Sequence, residues 1–400
     1  MSAHNSSKPA TKVVSGGRRK DWTWPVVNPP IWRASTHLYE TTQDLRRGHP
    51  NEDGHFHYGR RGSPTQWALA EALTELEPGA YGTLLYPSGV SAISGALLGV
   101  LKAGDVLLMT DNVYEPSRDL TRTLLADFNI ETRFFDPLDV DGFADCFCPK
   151  TAAVLFEAPG SLTLEMCDVP KLAAIARANG ALSLIDNTWA GPLGFTPLTH
   201  GCDITIMALT KHVGGHSDLM MGSVAAGEEL YKRLRIKSQA LGMVVSPDDA
   251  ALALRGLRTM HVRLQHSTAT ALKLAEWLEQ RPEVARVMCP MLPGAPGHDL
   301  WARDFTGGCG LFSFLLKGAD VQAQSRFIDA LELFGIGYSW GGFESLATPF
   351  EPSRARSATS WPPAGVERED RFGIRLAIGL EDPDDLQSDL AQAFEKMDLK

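Results

Sequence analysis

Short, nearly unbroken apolar runs recur between residues 83 and 226, each bounded by turn-forming residues. They fall at 83–86 (Thr-Leu-Leu-Tyr), 106–109 (Val-Leu-Leu-Met), 152–156 (Ala-Ala-Val-Leu-Phe), 181–185 (Ala-Leu-Ser-Leu-Ile), 204–207 (Ile-Thr-Ile-Met) and 222–226. Apolar residues at helical spacing fill most of the gaps, as at 169–178, and a further such stretch, 65–77, stops before Pro78-Gly79. An alternating strand has one wet face, whereas a continuous apolar strand is covered on both. Strands of the second kind with helical crossovers predict an α/β fold, a mostly parallel central sheet with helices on both faces. Functional residues of such sheets gather at the carboxyl ends of the strands.

The ends of the chain read differently. Residues 1–19 are rich in Ser, Lys and Gly and lack the apolar stretch of a secretory signal, which predicts a floppy tail and a cytoplasmic protein. Residues 20–60 carry Pro25, Pro29, Pro30 and Gly48-His49-Pro50, the pattern of an extended arm that crosses onto a neighbouring subunit. No apolar run approaches the length of a membrane span. Beyond a long helical stretch at about 247–280, segments 310–316, 335–339 and 373–378 read as strands of a smaller α+β domain. Residues 382–397 read as an amphipathic helix whose acidic first turn suits the helix dipole. The expected division is 1–60 as tail and arm, 61–260 as a large cofactor-binding domain and 261–400 as a small domain.

Composition narrows the chemistry. The 400 residues are 44% apolar and 22% charged, enough for a large core. A formal net charge of -10 disfavours nucleic acid or an anionic membrane as the main partner. The six cysteines, Cys146, Cys148, Cys167, Cys202, Cys289 and Cys309, are scattered, so no disulfide framework is expected. Cys146 and Cys148 lack a second Cys/His pair at zinc spacing, and no metal is expected. His49, His55 and His57 read as polar loop residues. Neither a Gly-x-Gly-x-x-Gly after a strand nor a Gly-x-x-x-x-Gly-Lys-Ser/Thr loop occurs, which disfavours nicotinamide and nucleotide cofactors.

Asp186 follows the 181–185 run, and Lys211 follows the next run in Thr210-Lys211-His212-Val213-Gly214-Gly215-His216-Ser217-Asp218. Alone, a lysine in a Gly-rich loop is ordinarily solvated and an acid at a strand end is ordinarily a cap. Together they are what pyridoxal phosphate needs: an amine to hold the aldehyde as an imine, and a carboxylate to keep the ring nitrogen protonated. Pro87-Ser88-Gly89-Val90 opens a helix whose N-terminal N–H groups suit a phosphate. Thr210 offers a further hydroxyl, and Tyr114 follows the 106–109 strand where it can stack on a ring. Glu157-Ala158-Pro159-Gly160 follows another strand end.

Four motifs arrive in order: Tyr58-Gly59-Arg60-Arg61-Gly62-Ser63-Pro64-Thr65, Asp186-Asn187-Thr188, Thr210-Lys211 with Gly215-His216-Ser217-Asp218, and Ser339-Trp340-Gly341-Gly342-Phe343-Glu344-Ser345-Leu346. Over roughly residues 20–395 the chain resembles the Cys/Met-metabolism group of pyridoxal phosphate enzymes. The resemblance implies the aspartate-aminotransferase-like fold, fold type I. It assigns Lys211 to the imine, Asp186 to the ring nitrogen, Tyr114 to ring stacking, and Gly89 and Val90 to the phosphate. Tyr58 and Arg60 match a pair that reaches the phosphate from a neighbouring subunit, which implies a homo-oligomer, a tetramer built from dimers. Arg375 matches the clamp for the substrate carboxylate, with Ser339 beside it; a planar guanidinium suits that group. The chain departs from many members at Ala208, where a serine is common, and at His212, where a tyrosine is common. Tyr338-Ser339-Trp340 and Tyr114-Glu115-Pro116 resemble the members that β-eliminate cystathionine, with Lys211 as base and Lys211 or Tyr114 protonating the departing sulfur. The alternatives are cystathionine γ-lyase or γ-synthase chemistry, a broad cysteine-S-conjugate β-lyase, and a cofactor-binding regulator without turnover.

Overall fold

The computed structural model describes residues 7–361, 366–367 and 370–397. Packing divides the chain into two compact units, residues 1–100 with 203–261 and residues 101–202 with 262–400. The described strands are β1 (Gly82–Tyr86), β2 (Val106–Thr110), β3 (Glu131–Phe135), β4 (Thr151–Glu157), β5 (Leu182–Asp186), β6 (Ile204–Ala208), β7 (Gly222–Ala226), β8 (Val284–Met288), β9 (Leu311–Leu316), β10 (Gly335–Ile336), β11 (Leu346–Phe350) and β12 (Gly373–Ala377).

In the first unit β7 lies between β1 and β6 and runs antiparallel to both. The helix Pro64–Leu76 begins where its sequence says it should. Pro64 occupies its first turn, and the Ser63 N–H donates to Gln66 Oε1 at 3.1 Å, closing one side of a capping box. The helix Gly89–Val100 packs on β6 and β7. That approach needs Gly222, because a Cβ there would lie 2.4 Å from the Ser88 carbonyl oxygen.

In the second unit β5, β4, β2 and β3 are parallel neighbours in that order. All five positions of β2 are buried, as a strand covered on both faces requires. The helix Val169–Ala178 buries Val169, Leu172, Ala173 and Ala176, one stripe at helical spacing. A second sheet runs β10-β11-β12-β9-β8. Its β9 is buried at every position, and Phe314 meets Phe327 and Phe394 from the helices Val321–Asp329 and Pro383–Glu395. The Phe327 and Phe394 rings lie 4.6 Å apart, a separation favourable for aromatic pairs.

Three expectations change. The tail is not floppy throughout: Pro9–Ser15 is helical, Val13 is buried, and Lys12 Nζ donates to the Glu75 carbonyl at 2.8 Å. Residues 1–6 lie outside the described residues. The 335–339 segment is a strand only at Gly335–Ile336, since Ser339 turns to a φ of +86°. Strands β3, β8 and β11 were not anticipated.

Candidate active site

Each unit carries its own set of the expected residues. In the first, Lys211 lies in the turn after β6. The Gly214 N–H donates to Leu209 O and the Gly215 N–H to Lys211 O, both at 2.8 Å. The helix Pro247–Glu279 passes so close that a Cβ on Gly256 would sit 2.2 Å from the Val213 and Gly214 carbonyl oxygens. The turn bearing Lys211 therefore has a rigid floor. His212 is buried. Thr210 is already engaged, its hydroxyl donating to Met221 O at 3.2 Å and accepting from Met221 N–H at 3.0 Å. Its one hydroxyl proton is thus committed, and a phosphate would have to draw it away from the Met221 carbonyl.

Gly89 opens the helix Gly89–Val100 directly over the end of β6, where a Cβ would lie 2.8 Å from the Ala208 methyl. The Ser91 N–H donates to Ser88 Oγ at 3.0 Å and the Ala92 N–H to Ser88 O at 3.0 Å. Gly89 and Val90 hold first-turn N–H groups that a helix leaves without an intrahelical acceptor. A glycine-lined helix N-terminus beside the Lys211 turn fits an anionic phosphate. Tyr58 pairs with Thr36 in an isolated bridge, and the Gly59 N–H donates to Ser35 O at 2.7 Å. Arg60 Nη1 donates to Gln239 O at 3.1 Å.

In the second unit Asp186 ends β5. Its Oδ1 accepts from the Thr188 N–H at 3.0 Å and the Thr188 hydroxyl at 2.5 Å, which fixes the carboxylate at the end of the strand. Glu157 is in register with Asp186 on the adjacent parallel strand, and its Oε2 accepts the Tyr114 N–H at 2.6 Å. Burial first, and the Asp186 charge second, push the Glu157 carboxyl well above the usual range. Glu157 as a whole is half-buried. Tyr114 caps the helix Glu115–Leu120 with its ring half-exposed, and burial and then the charges of Asp186 and Glu157 raise its hydroxyl pKa against the pull of Arg375.

Arg375 lies in β12 opposite Thr348 of β11 and Ser313 of β9. Its Nη2 donates to the Ser339 carbonyl at 3.3 Å, which the positive φ of Ser339 helps to aim. Burial lowers the Arg375 pKa, while Tyr114 and Tyr338 oppose that shift. The Tyr114 phenol is thus within electrostatic reach of both the Asp186 carboxylate and the Arg375 guanidinium. Trp340 is half-buried and Tyr338 is exposed. Sequence reasoning quoted Glu157 only as a strand end. An acid closing an apolar strand beside another that closes on Asp186 was the available signal.

The first unit thus offers a lysine in a braced turn and a helix N-terminus suited to phosphate, and the second a fixed carboxylate with a tyrosine in its electrostatic reach, the residue types that pyridoxal phosphate requires. The chain belongs to the Cys/Met metabolism PLP-dependent enzyme family, whose model matches residues 10–395. It is 40% identical over 391 residues to the cystathionine beta-lyase MetC of Escherichia coli (strain K12), covering 97% of this chain and 98% of that one. It is 41% identical over 374 residues to the cystathionine beta-lyase of Bordetella avium, covering 92% of each. Among solved structures, cystathionine gamma synthase from Xanthomonas oryzae pv. oryzae in complex with cystathionine matches with a TM-score of 0.87 and 34% identity over 98% of each chain. The fold is that of fold type I pyridoxal phosphate enzymes.

Proposed function

We infer that the chain is a carbon–sulfur lyase that uses pyridoxal phosphate to convert L-cystathionine and water to homocysteine, pyruvate and ammonia, as in methionine biosynthesis. The observation that carries this reading is the setting of Tyr114, whose N–H is held by Glu157 at 2.6 Å and whose phenol feels the charges of both Asp186 and Arg375. The names of relatives at 40% and 41% identity support the substrate.

Bound pyridoxal phosphate supplies an electron-accepting ring that stabilises negative charge at the substrate α-carbon. Lys211 would hold it covalently in the resting enzyme, Asp186 would pair with its ring nitrogen, Tyr114 would cover its face, and Gly89 and Val90 would receive its phosphate, joined by Thr210 once its hydroxyl turns from the Met221 carbonyl. Arg375 binds the substrate α-carboxylate, with Ser339 setting the guanidinium. Once the substrate α-amine has displaced it, the freed Lys211 Nζ removes the α-proton as general base. The β-carbon–sulfur bond then breaks, and the proton returns to the departing sulfur from Lys211 Nζ or the Tyr114 hydroxyl. Released aminoacrylate hydrolyses to pyruvate and ammonia. Trp340 and Tyr338 flank the sulfur-bearing arm of the substrate.

We further propose a cytoplasmic homotetramer of dimers in which Tyr58 and Arg60 reach the phosphate of a neighbouring subunit. Among the described residues no helix is long and apolar enough to cross a membrane. The exposed side chains of Trp24, Val27, Leu38 and Tyr58 in the arm favour burial against a second copy. Product analysis with L-cystathionine tests the reaction. Equal pyruvate and homocysteine are expected, whereas 2-oxobutyrate with cysteine would make the chain a γ-lyase.

A further inference from the structure

Asp111 ends the buried run of β2, three residues before Tyr114, and is fully buried. One guanidinium and one loop converge on its carboxylate. Arg118 Nη1 donates to Oδ1 at 3.0 Å and to the Asp111 backbone carbonyl at 3.1 Å. From the loop, the N–H groups of Ser357, Ala358 and Thr359 donate at 3.0, 2.9 and 2.8 Å. The hydroxyls of Ser357 and Thr359 donate at 2.8 Å each. Arg118 is itself buried, lies 3.9 Å from the Phe134 ring centroid and donates from Nη2 to Ser357 Oγ at 2.6 Å. Burial alone would raise the Asp111 pKa, but the hydrogen bonds from Thr359 and Ser357 prevail and lower it. The carboxylate is therefore a charged peg in a fitted socket.

A second fastening lies beside the first. Arg356 Nη2 donates to Thr163 Oγ1 at 2.7 Å and to Glu165 Oε2 at 2.5 Å. Asn112 Nδ2 donates to that same Glu165 oxygen at 3.4 Å, and the Ser161 N–H donates to Asn112 O at 2.8 Å. The strap 356–359 thus grips the segments that follow β2 and β4, the strands that lead into Tyr114 and end in Glu157.

The two grips define how Tyr114 is mounted. Arg118 ties back to Asp111, which closes residues 111–118 into a ring with Tyr114 on it, and Glu157 holds the Tyr114 N–H from the other side. We propose that Asp111, Ser357 and Thr359 are positioning residues for the reaction, the strap 356–359 acting through Asp111 to fix the height and tilt of the Tyr114 ring. This rests on the assignment of Tyr114 to the cofactor face. None of the three touches substrate in this account. They act through the placement of Tyr114, so their loss should move turnover more than substrate affinity.

The test uses the full-length, cofactor-loaded chain and the double variant Ser357→Ala/Thr359→Val, which removes two hydroxyl donors and leaves the backbone donors and Asp111 in place. The expected result is a kcat about 10- to 100-fold lower, the order of loss for a small misplacement remote from the bonds that change. KM should change little. The visible circular dichroism of the cofactor should change, since it reports ring orientation. Thr359→Ser, which keeps the hydroxyl, should retain both readouts. Unchanged kcat and dichroism would overturn the inference, as would a double variant in which only the melting temperature of the cofactor-free chain falls. Tyr114→Ala separates the two layers. If it moves kcat and dichroism while the double variant moves neither, only the strap inference fails. If Tyr114→Ala moves neither, the assignment of Tyr114 fails and takes this inference with it.

Discussion

Burial and the neighbouring Asp186 charge hold the Glu157 carboxyl well above the usual carboxylate range. Its folded-state pKa is raised, so the folded chain binds a proton that the unfolded chain gives up at about pH 4.3. Stability from this group is full below that pH and is lost as pH rises toward the folded value. Glu157→Gln mimics the protonated acid and removes the loss. Relative to the parent, the variant should therefore gain stability as pH rises above about 4, levelling off once the folded-state carboxyl of the parent ionises, in unfolding experiments on the cofactor-free chain. A variant that loses ground as pH rises would mean that Glu157 is ionised in the fold. The residue types that a cofactor and substrate would need are readable in the sequence, because the cofactor dictates them: an amine, an acid, an aromatic ring and a guanidinium. Asp111 and Arg118 are not, since a buried ion pair seven residues apart reads as ordinary turn polarity until Ser357 and Thr359 are seen to close over it.

Elements were legible where burial is two-sided. Strands β2, β4, β5 and β6 announce themselves as apolar runs, and their observed limits differ from the expected ones by a single residue at one end or both. Strand β3 escaped because it pairs only with β2 and exposes Glu131 and the half-exposed Arg133, which bond to each other at 2.6 Å. A charged sheet edge protects against further pairing and erases the apolar signature. Strand β11 escaped because Pro349 lies within it, and proline demotes a strand reading. The meeting of the helix Gly89–Val100 with β6 gives an element-scale prediction. Gly89→Ala puts a methyl against the Ala208 methyl, an overpacking that costs about 1–3 kcal/mol. Cofactor affinity should fall roughly tenfold or more by fluorescence titration, and adding Ala208→Gly should recover most of it. Equal affinity in Gly89→Ala and the parent would show that this helix start does not hold the phosphate.

At the scale of the whole molecule, the arm carries large apolar side chains into solvent, Leu38 at 94% exposed and Trp24 at 81%. An isolated subunit would hold such groups in water at a cost of about 25 cal/mol per Å² of apolar surface. Sedimentation of the wild-type chain should give a tetramer, and Leu38→Glu should shift it toward smaller species with weaker cofactor retention. A monomer with full activity would contradict the shared-site proposal for Tyr58 and Arg60. The most direct test of the account is chemical. The chain is loaded with pyridoxal phosphate, reduced with borohydride, digested and mapped by mass spectrometry. The account predicts one pyridoxyl group per chain, on Lys211. Modification at another lysine, or none after saturation with the cofactor, would contradict it.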